Sequence, residues 1–383
     1  MGRQSRLPQK RASGIDPSMQ ELTIKIPGTA EKHYPIVIGT GLLPSLWSRL
    51  ESEVGPRQEF VVTDANVVAA GHLEALLAGR DVPHFAIEPP GEPSKTVETA
   101  VAIVEAMEKA CLGRDAAVVA LGGGTVGDVA GFAAAIFKRG VPVVQIPTTT
   151  LAQADSAIGG KTGVDSSVSK NAFGAFWHPA AVYIDAATLE TLDERHYRAG
   201  LVESVKHALI AESEYFDFLE RHLDEILERK LDVLETVAGY NCRIKGAVVE
   251  ADPQEENRRR VLNYGHTIGH AVEAASGYDL LHGEAVAVGI VAAGLIEVEM
   301  GLAEPGRLER VQGILERLGV PVKLPPQIAE ESVLDLLKHD KKAVGRWPRF
   351  VLIARLGEAY TKNGQYAVEV ERRIVENVLN KLK

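Results

Sequence analysis

The sequence predicts an α/β N-terminal domain of Rossmann-like type followed by a mainly α-helical C-terminal domain. Three observations lead there. Short β-branched runs alternate with helical stretches in the first half, the pattern of a mostly parallel sheet covered by helices. One of those runs passes through a glycine cluster into a helix. Beyond residue 187, strand signals nearly vanish and apolar residues recur at helical spacing.

The elements follow in order. The opening "MGRQSRLPQKRASGIDPS" is basic and polar and lacks the apolar core of a secretory signal. Residues 1–18 are expected to form a disordered tail, with Met19 the more natural start. "ELTIKIP" and "YPIVIG" read as strands, then "EFVVTD", "VPHFAIEP", "DAAVVALGGG", "VPVVQIP" and "AAVYID", with the helix "VETAVAIVEAMEKACL" among them. The domains are expected at 19–190 and 191–383, where "PRFVLIARLG" is the one later strand signal. A cleft between two such domains is a natural ligand site.

Composition bounds the function. The chain has 383 residues, 45% hydrophobic and 25% charged, ordinary for a globular protein with a large core. A net charge of −10 argues against a general binder of nucleic acid or anionic membranes. Two cysteines, Cys111 and Cys242, suggest neither a disulfide framework nor a thiolate zinc site, which makes a reducing cytoplasm the default. No apolar run is long enough to span a membrane.

In "VVALGGGTVGDVAGFAAAIF", Gly122, Gly124 and Gly127 fit G-x-G-x-x-G between a strand and a helix. That context suits a pyrophosphate, because the backbone can approach closely and the helix N-terminus presents N–H groups. The strand that follows ends in Thr148, Thr149 and Thr150, without an acid for a ribose. The candidate acid lies earlier, at Asp64, so the order of parts differs from the common dinucleotide fold. "PPGEPSK" adds Glu92 and Lys95 in a turn that alone would read as solvated surface. The stretch 148–179 is rich in small and polar residues and carries Asp155, Lys161, Lys170 and Asn171. It reads as a long functional loop suited to a phosphorylated ligand, or as a merely flexible one.

"NYGHTIGHA" places His266 and His270 at i, i+4 on one helix face. No glutamate follows the first histidine, as it would in H-E-x-x-H. His282, in "LHGEAVAVG", and Glu203 and His207, in "AGLVESVKHALI", are further candidates. A catalytic zinc takes three such ligands and keeps one position open. Spacing does not choose among the three histidines or show that Glu203 joins them.

Taken together, "GGGTVGDVAGFAAA", "PTTTLAQADSAIGGKTGVD", "KNAFGAFWHP", "GLVESVKHALI", "RRRVLNYGHTIGHAVE", "LHGEAVAVG" and "HDKKAVG" resemble the 3-dehydroquinate synthase family, within the sugar phosphate cyclases, over nearly the whole chain from Met19. The resemblance implies conversion of 3-deoxy-D-arabino-heptulosonate 7-phosphate to 3-dehydroquinate and phosphate in the shikimate pathway. It implies NAD as a transient oxidant, Zn2+ or another divalent ion such as Co2+, and a homodimer. Carried onto these positions, Glu203, His266 and His282 would hold the metal, with Asp155 and Lys206 beside the reacting hydroxyls. Lys245 and Arg259 would bind the substrate carboxylate. Lys161, Asn171, Asn263, His270 and a lysine of "DKK", Lys341 or Lys342, would surround the phosphate, with Arg139 reaching in from a second subunit. Asp64 and Asn66 would contact the adenosine end of NAD, Glu92 and Lys95 the ribose region, and Gly123, Gly124, Thr125 and Asp128 the pyrophosphate. Thr148, Thr149, Leu151, Lys161, Lys170, Thr191 and Leu192 would complete the cofactor site.

The chain departs from the family pattern at "TLDERHY", where Asp193 and His196 replace a proline and a glutamate that the family uses as a cofactor contact. "GLVESVKH" differs from the commoner "GLAEVIK" but keeps Glu203 and Lys206. Rival readings are a cyclase acting on sedoheptulose or glucose phosphates, a metal-dependent polyol dehydrogenase of the glycerol dehydrogenase type, and a nucleotide-binding regulator without chemistry. Lys245, Arg259, Asn263 and "DKK" together favour the carboxylated substrate.

Overall fold

The computed structural model describes residues 33–339 and 347–383; the expected strand "ELTIKIP" and Lys341 and Lys342 lie outside them. The first half runs β1 (Ile36–Gly39), α1 (Leu46–Val54), β2 (Gln58–Asp64), α2 (Ala65–Ala69), α3 (His72–Leu77), β3 (His84–Ile87), α4 (Val97–Lys109), β4 (Ala116–Gly122), α5 (Gly124–Ile136), β5 (Val143–Pro147), β6 (Lys161–Val164), β7 (Phe173–Phe176) and β8 (Ala181–Asp185). The second half runs α6 (Glu194–Ala211), α7 (Ser213–Arg221), α8 (Leu223–Leu227), α9 (Leu231–Ala251), α10 (His266–Ala275), α11 (His282–Glu299), α12 (Pro305–Arg317), α13 (Glu330–His339), β9 (Arg349–Val351), β10 (Ile353–Arg355), β11 (Glu358–Ala359), β12 (Ala367–Glu369) and α14 (Arg372–Lys381).

Six strands form one parallel sheet in the order β1-β8-β5-β4-β2-β3. Its interior strands read as unbroken apolar runs because both faces are covered. Ala116, Val118 and Ala120 of β4 enter one core, and Val119 and Leu121 enter the other. The first described strand, β1, sits at the far edge beside β8, the altered order of parts that Asp64 suggested. Asp64, the glycine turn and Thr148–Thr150 all leave the C-terminal ends of neighbouring strands, where open α/β sheets bind ligands.

The stretch 148–179 is more ordered than expected. Ala152–Ser156 forms a π-helical turn, and β6 and β7 pair as an antiparallel hairpin. Gly163 and Gly174 face each other there; a Cβ would meet the Phe173 or Thr162 carbonyl oxygen at 2.7 or 2.6 Å.

Asp193 caps the start of helix α6, its Oδ1 accepting from His196 N–H at 3.1 Å. It docks tightly against the segment that follows β5. A Cβ on Gly200 would fall 2.1 Å from Thr150 Oγ1 and 2.3 Å from Leu151 N. Helix α11 meets α6 at Gly283, where a Cβ would lie 1.9 Å from the Ala199 carbonyl oxygen. Arg195 ties the same helices through a bidentate pair with Glu284, 2.7 Å to each oxygen. Helix α10 crosses α11 at Gly265 and Gly289; a Cβ on Gly289 would be 1.9 Å from Gly265 O. These close approaches set three helices around one point.

Candidate active site

That point is Glu203, one turn after Gly200 and fully buried. Neither carboxylate oxygen accepts a hydrogen bond among the described residues. Lys206, on the same helix, pairs with Oε2 as an ion without hydrogen-bond geometry. His266 Nε2 lies 3.6 Å from Glu203 Oε1, and His282 Nε2 lies 3.8 Å from it. The far nitrogen of each ring is engaged. His266 Nδ1 donates to the Tyr264 carbonyl at 3.0 Å, and His282 Nδ1 faces Glu273 Oε2 at 3.3 Å. Both imidazoles therefore turn Nε2 toward the same oxygen.

This donor set fits a divalent cation. Metal–ligand bonds of about 2.0–2.2 Å place tetrahedral donors about 3.3–3.6 Å apart, close to the observed separations. A buried carboxylate without a hydrogen bond is costly, and a cation between it and two imidazoles offsets that cost. Burial, followed by the Lys206 charge, pushes the His266 imidazole down to about 3, so its ring is neutral and able to ligate near neutral pH. Burial raises the Glu203 carboxyl, but Lys206 and His266 outweigh it and hold the group at about 2.

His270 joins the cluster. Its ring centroid lies 5.2 Å from that of His266 and 5.7 Å from that of His282. The ring nitrogens of His266, His270 and His282 fall within 4.8 Å of one another, as do donor atoms of Asp155, Glu203 and His207. Proximity thus offers more than one triad. The two Nε2 atoms that converge on Glu203 Oε1, an oxygen without a hydrogen bond among the described residues, favour Glu203, His266 and His282. In the Asp155 group, Asp155 itself is already paired with the Lys245 ammonium.

Asp155 sits on the π-helical turn, with Lys245 Nζ at 2.6 Å from Oδ1. Burial raises its carboxyl, but Lys245, Lys206 and His207 outweigh that and hold it well below the usual range. Burial lowers the Lys245 ammonium, against the pull of Asp155. Arg259, 2% exposed, donates to Gly159 O at 3.0 Å and Pro253 O at 2.8 Å. Gly159 has φ +96°, and a Cβ there would meet the guanidinium at 2.5 Å. His207 is buried, with Nδ1 donating to Asn241 Oδ1 at 3.1 Å; Asn241 also accepts from Tyr215 and donates to Ser204. Its Nε2 has no hydrogen bond among the described residues and stands 4.0 Å from Asp155 Oδ1.

Two carboxylates that motif reasoning missed link the remaining cations. Glu255, at φ +61°, bridges Lys161 and Asn263, with Asn263 Nδ2 donating at 3.0 Å. Glu273 accepts Lys170 at 2.9 Å, and Lys170 also reaches Glu92 at 3.1 Å. Glu255 hides in an acidic run that reads as solvent-facing; Glu273 closes the motif "GHAVE", and its place after two histidines was the available signal.

On the sheet side, Lys95 is buried and pairs with Asp128 at 2.7 Å. Gly123 and Gly124 open α5 next to Thr125, against Thr149 and Ser156: added Cβ atoms would come within 3.0 and 3.1 Å. Asp64 caps α2 by accepting Val67 N–H at 2.9 Å, beside exposed Asn66. Thr148 is buried, and Leu151 caps the π-helical turn. Thr191 pairs with His72 at 2.7 Å, and Leu192 follows it before α6. His196 is exposed and pairs with Asp193 at 2.8 Å. Asn171 is exposed at φ +52° with its N–H on Asp165, 2.6 Å away. Arg139 is exposed in the turn after α5.

The same residues carry a family signature. The profile of the 3-dehydroquinate synthase N-terminal domain matches residues 85–199, and that of its C-terminal domain matches 200–343. A 3-dehydroquinate synthase from Symbiobacterium thermophilum is 44% identical over 334 residues, 86% of this chain and 93% of that protein. One from Desulforamulus reducens is 42% identical over 85% of this chain and 92% of its own length. Among solved structures, 2-deoxy-scyllo-inosose synthase complexed with carbaglucose-6-phosphate, NAD+ and Co2+ superposes with a TM-score of 0.82 at 28% identity, covering 92% of this chain and 98% of that one. A 2-epi-5-epi-valiolone synthase from Streptomyces hygroscopicus, with NAD+ and Zn2+ bound, gives 0.80 at 31% identity, covering 94% and 99%. With both halves matched by the family and these relatives aligned along most of its length, the chain belongs to the 3-dehydroquinate synthase family.

Proposed function

We propose that this protein converts 3-deoxy-D-arabino-heptulosonate 7-phosphate to 3-dehydroquinate and phosphate, with NAD and a divalent cation, Zn2+ or Co2+, as cofactors. The observation that carries the reading is the convergence of His266 Nε2 and His282 Nε2 on buried Glu203 Oε1, which accepts no hydrogen bond among the described residues, beside a cationic pocket. When bound, the cation supplies a Lewis acid for the substrate's C4 and C5 hydroxyls, and NAD accepts and returns a hydride.

The chain's own residues do the rest. Asp155, kept ionised by Lys245 and Lys206, accepts a hydrogen bond from a substrate hydroxyl. Lys245 and Arg259 hold the substrate carboxylate, a role for a fixed ammonium and a guanidinium fork. Lys161, Asn171, Asn263, His270 and Lys341 take the phosphate; the Glu255 carboxylate between Lys161 and Asn263 supports an anion there. NAD would be held by Gly123, Gly124, Thr125 and Asp128, by Asp64 with Asn66 and Glu92 with Lys95, and by Thr148, Thr149, Leu151, Lys161, Lys170, Thr191 and Leu192.

The same reading divides the chain at 190/191 into cofactor and substrate domains and places it in the cytoplasm, in keeping with its two free cysteines. It makes the enzyme a homodimer in which Arg139 enters the neighbouring phosphate pocket. Exposed Ile136, Phe173 and Phe176 on α5 and β7 offer an apolar surface near that arginine.

Zinc-loaded protein given the heptulosonate phosphate and catalytic NAD should release many phosphates per NAD without accumulating NADH. Release from sedoheptulose 7-phosphate but not from the heptulosonate would overturn the substrate; steady NADH formation with glycerol would point to a dehydrogenase.

A further inference from the structure

His282 is held from behind by a residue of another helix. Glu273 is at the end of α10, and its carboxylate is 7% exposed as a residue. It is shared: Oε2 faces His282 Nδ1 at 3.3 Å, while Oε1 accepts Lys170 Nζ at 2.9 Å. Lys170 lies in the link between β6 and β7, reaches Glu92 at 3.1 Å and stacks over the Tyr278 ring at 4.5 Å. The chain of contacts therefore runs from the turn after β3, through the hairpin link, to a ring whose other nitrogen faces Glu203.

We propose that Glu273 is a positioning residue that fixes the orientation and tautomer of His282 through Nδ1 and, by accepting Lys170 at its other oxygen, ties that orientation to the loops carrying Lys170 and Glu92. The inference rests on the reading of His282 as a metal ligand. Its physical basis is general: a carboxylate behind a ligating imidazole sets which nitrogen is bare and raises its basicity. Here the carboxylate is not anchored by its own helix alone. Part of its charge is spent on a lysine from the sheet half, so the two halves of the molecule act on one ligand. Loss of Lys170 leaves Glu273 ionised but freer to rotate, and loss of Glu273 leaves His282 able to flip. The two losses are then not independent, because Lys170 acts on His282 only through Glu273.

The test uses full-length apoprotein reloaded with Zn2+ or Co2+, read by chelator competition and by the visible d–d spectrum of the cobalt form. Glu273→Gln keeps the side-chain shape and is expected to weaken metal binding about 10- to 100-fold and to shift the cobalt bands. Lys170→Met is expected to weaken it by a smaller factor, and the double variant to be no weaker than Glu273→Gln. Unchanged metal affinity and an unchanged cobalt spectrum in Glu273→Gln would overturn the positioning role. Additive losses in the double variant would overturn the link through Glu273. His282→Ala, measured alongside, separates this from the parent reading: if it retains stoichiometric metal, the ligand assignment itself fails; if it loses metal while Glu273→Gln does not, only Glu273 is wrongly assigned.

Discussion

Lys206 and Glu203 form an ion pair one turn apart on α6, each side chain only 1% exposed. A salt bridge this deep seldom adds net stability, since desolvation of both ions cancels most of the attraction. It does keep a carboxylate ionised at the meeting point of three helices, and both imidazoles depend on that charge.

Removing the pair's acceptor is therefore expected to act through the metal. Glu203→Gln, His266→Ala and His282→Ala should each lose bound metal together with at least about 100-fold of activity, whereas His270→Ala should keep near-stoichiometric metal and lose phosphate release. Metal content by elemental analysis beside the phosphate assay decides; a metal-free His270→Ala would place that histidine in the ligand set.

Arg259→Lys tests the carboxylate pocket. The substitution keeps the charge but cannot reproduce both backbone hydrogen bonds, to Gly159 and Pro253. Loss of one charged hydrogen bond to the substrate carboxylate from the displaced cation, about 1.5–3 kcal/mol, corresponds to a drop in kcat/KM of roughly 10- to 160-fold for the heptulosonate. Equal losses on a substrate without a carboxylate would show that Arg259 acts only on the fold.

Two helical glycines should respond in opposite directions. Gly289→Ala drives a methyl to within 1.9 Å of the Gly265 carbonyl and is expected to cost about 1–3 kcal/mol. Gly313→Ala, inside α12 with open space around it, is expected to stabilise by about 0.4–1 kcal/mol. Denaturant midpoints measure both.

Acid should destabilise the protein partly through His207. Burial, then the Lys206 charge, lowers it from 6.5 to about 4. Below pH 6.5 the unfolded chain binds a proton that the folded one refuses until about pH 4, so stability falls as pH falls through that window. One proton gives about 1.4 kcal/mol per pH unit, roughly 3 kcal/mol in all. His207→Gln should show a shallower fall in unfolding free energy over the same range; an identical slope would exclude His207 as a source.

Much of this site was legible in the chain because its motifs are local. The glycine turn, the i, i+4 histidines and the apolar runs of β2, β4 and β5 all announce themselves within a few residues. What joins Glu203 to His282 is not local: it depends on Gly200, Gly283 and Gly289 letting helices touch, and a glycine's neighbour is invisible until the helices are packed. The hairpin β6–β7 was hidden for a related reason. Gly163 and Gly174 weaken any strand signal, yet they are required there because their backbones meet face to face. The π-helical turn bearing Asp155 has no sequence rule comparable to a cap.

The contact between Gly265 and Gly289 also bears on how the enzyme would fail. His266 is the residue after Gly265, and its Nε2, which faces Glu203, is aimed by a backbone crossing with no side chain as cushion. Slight loosening of that crossing, by heat or mild denaturant, is transmitted at full amplitude to the spacing of Glu203, His266 and His282. Inactivation should therefore precede melting, with the ion leaking away while circular dichroism still reports intact helices, and excess zinc should delay the first event more than the second.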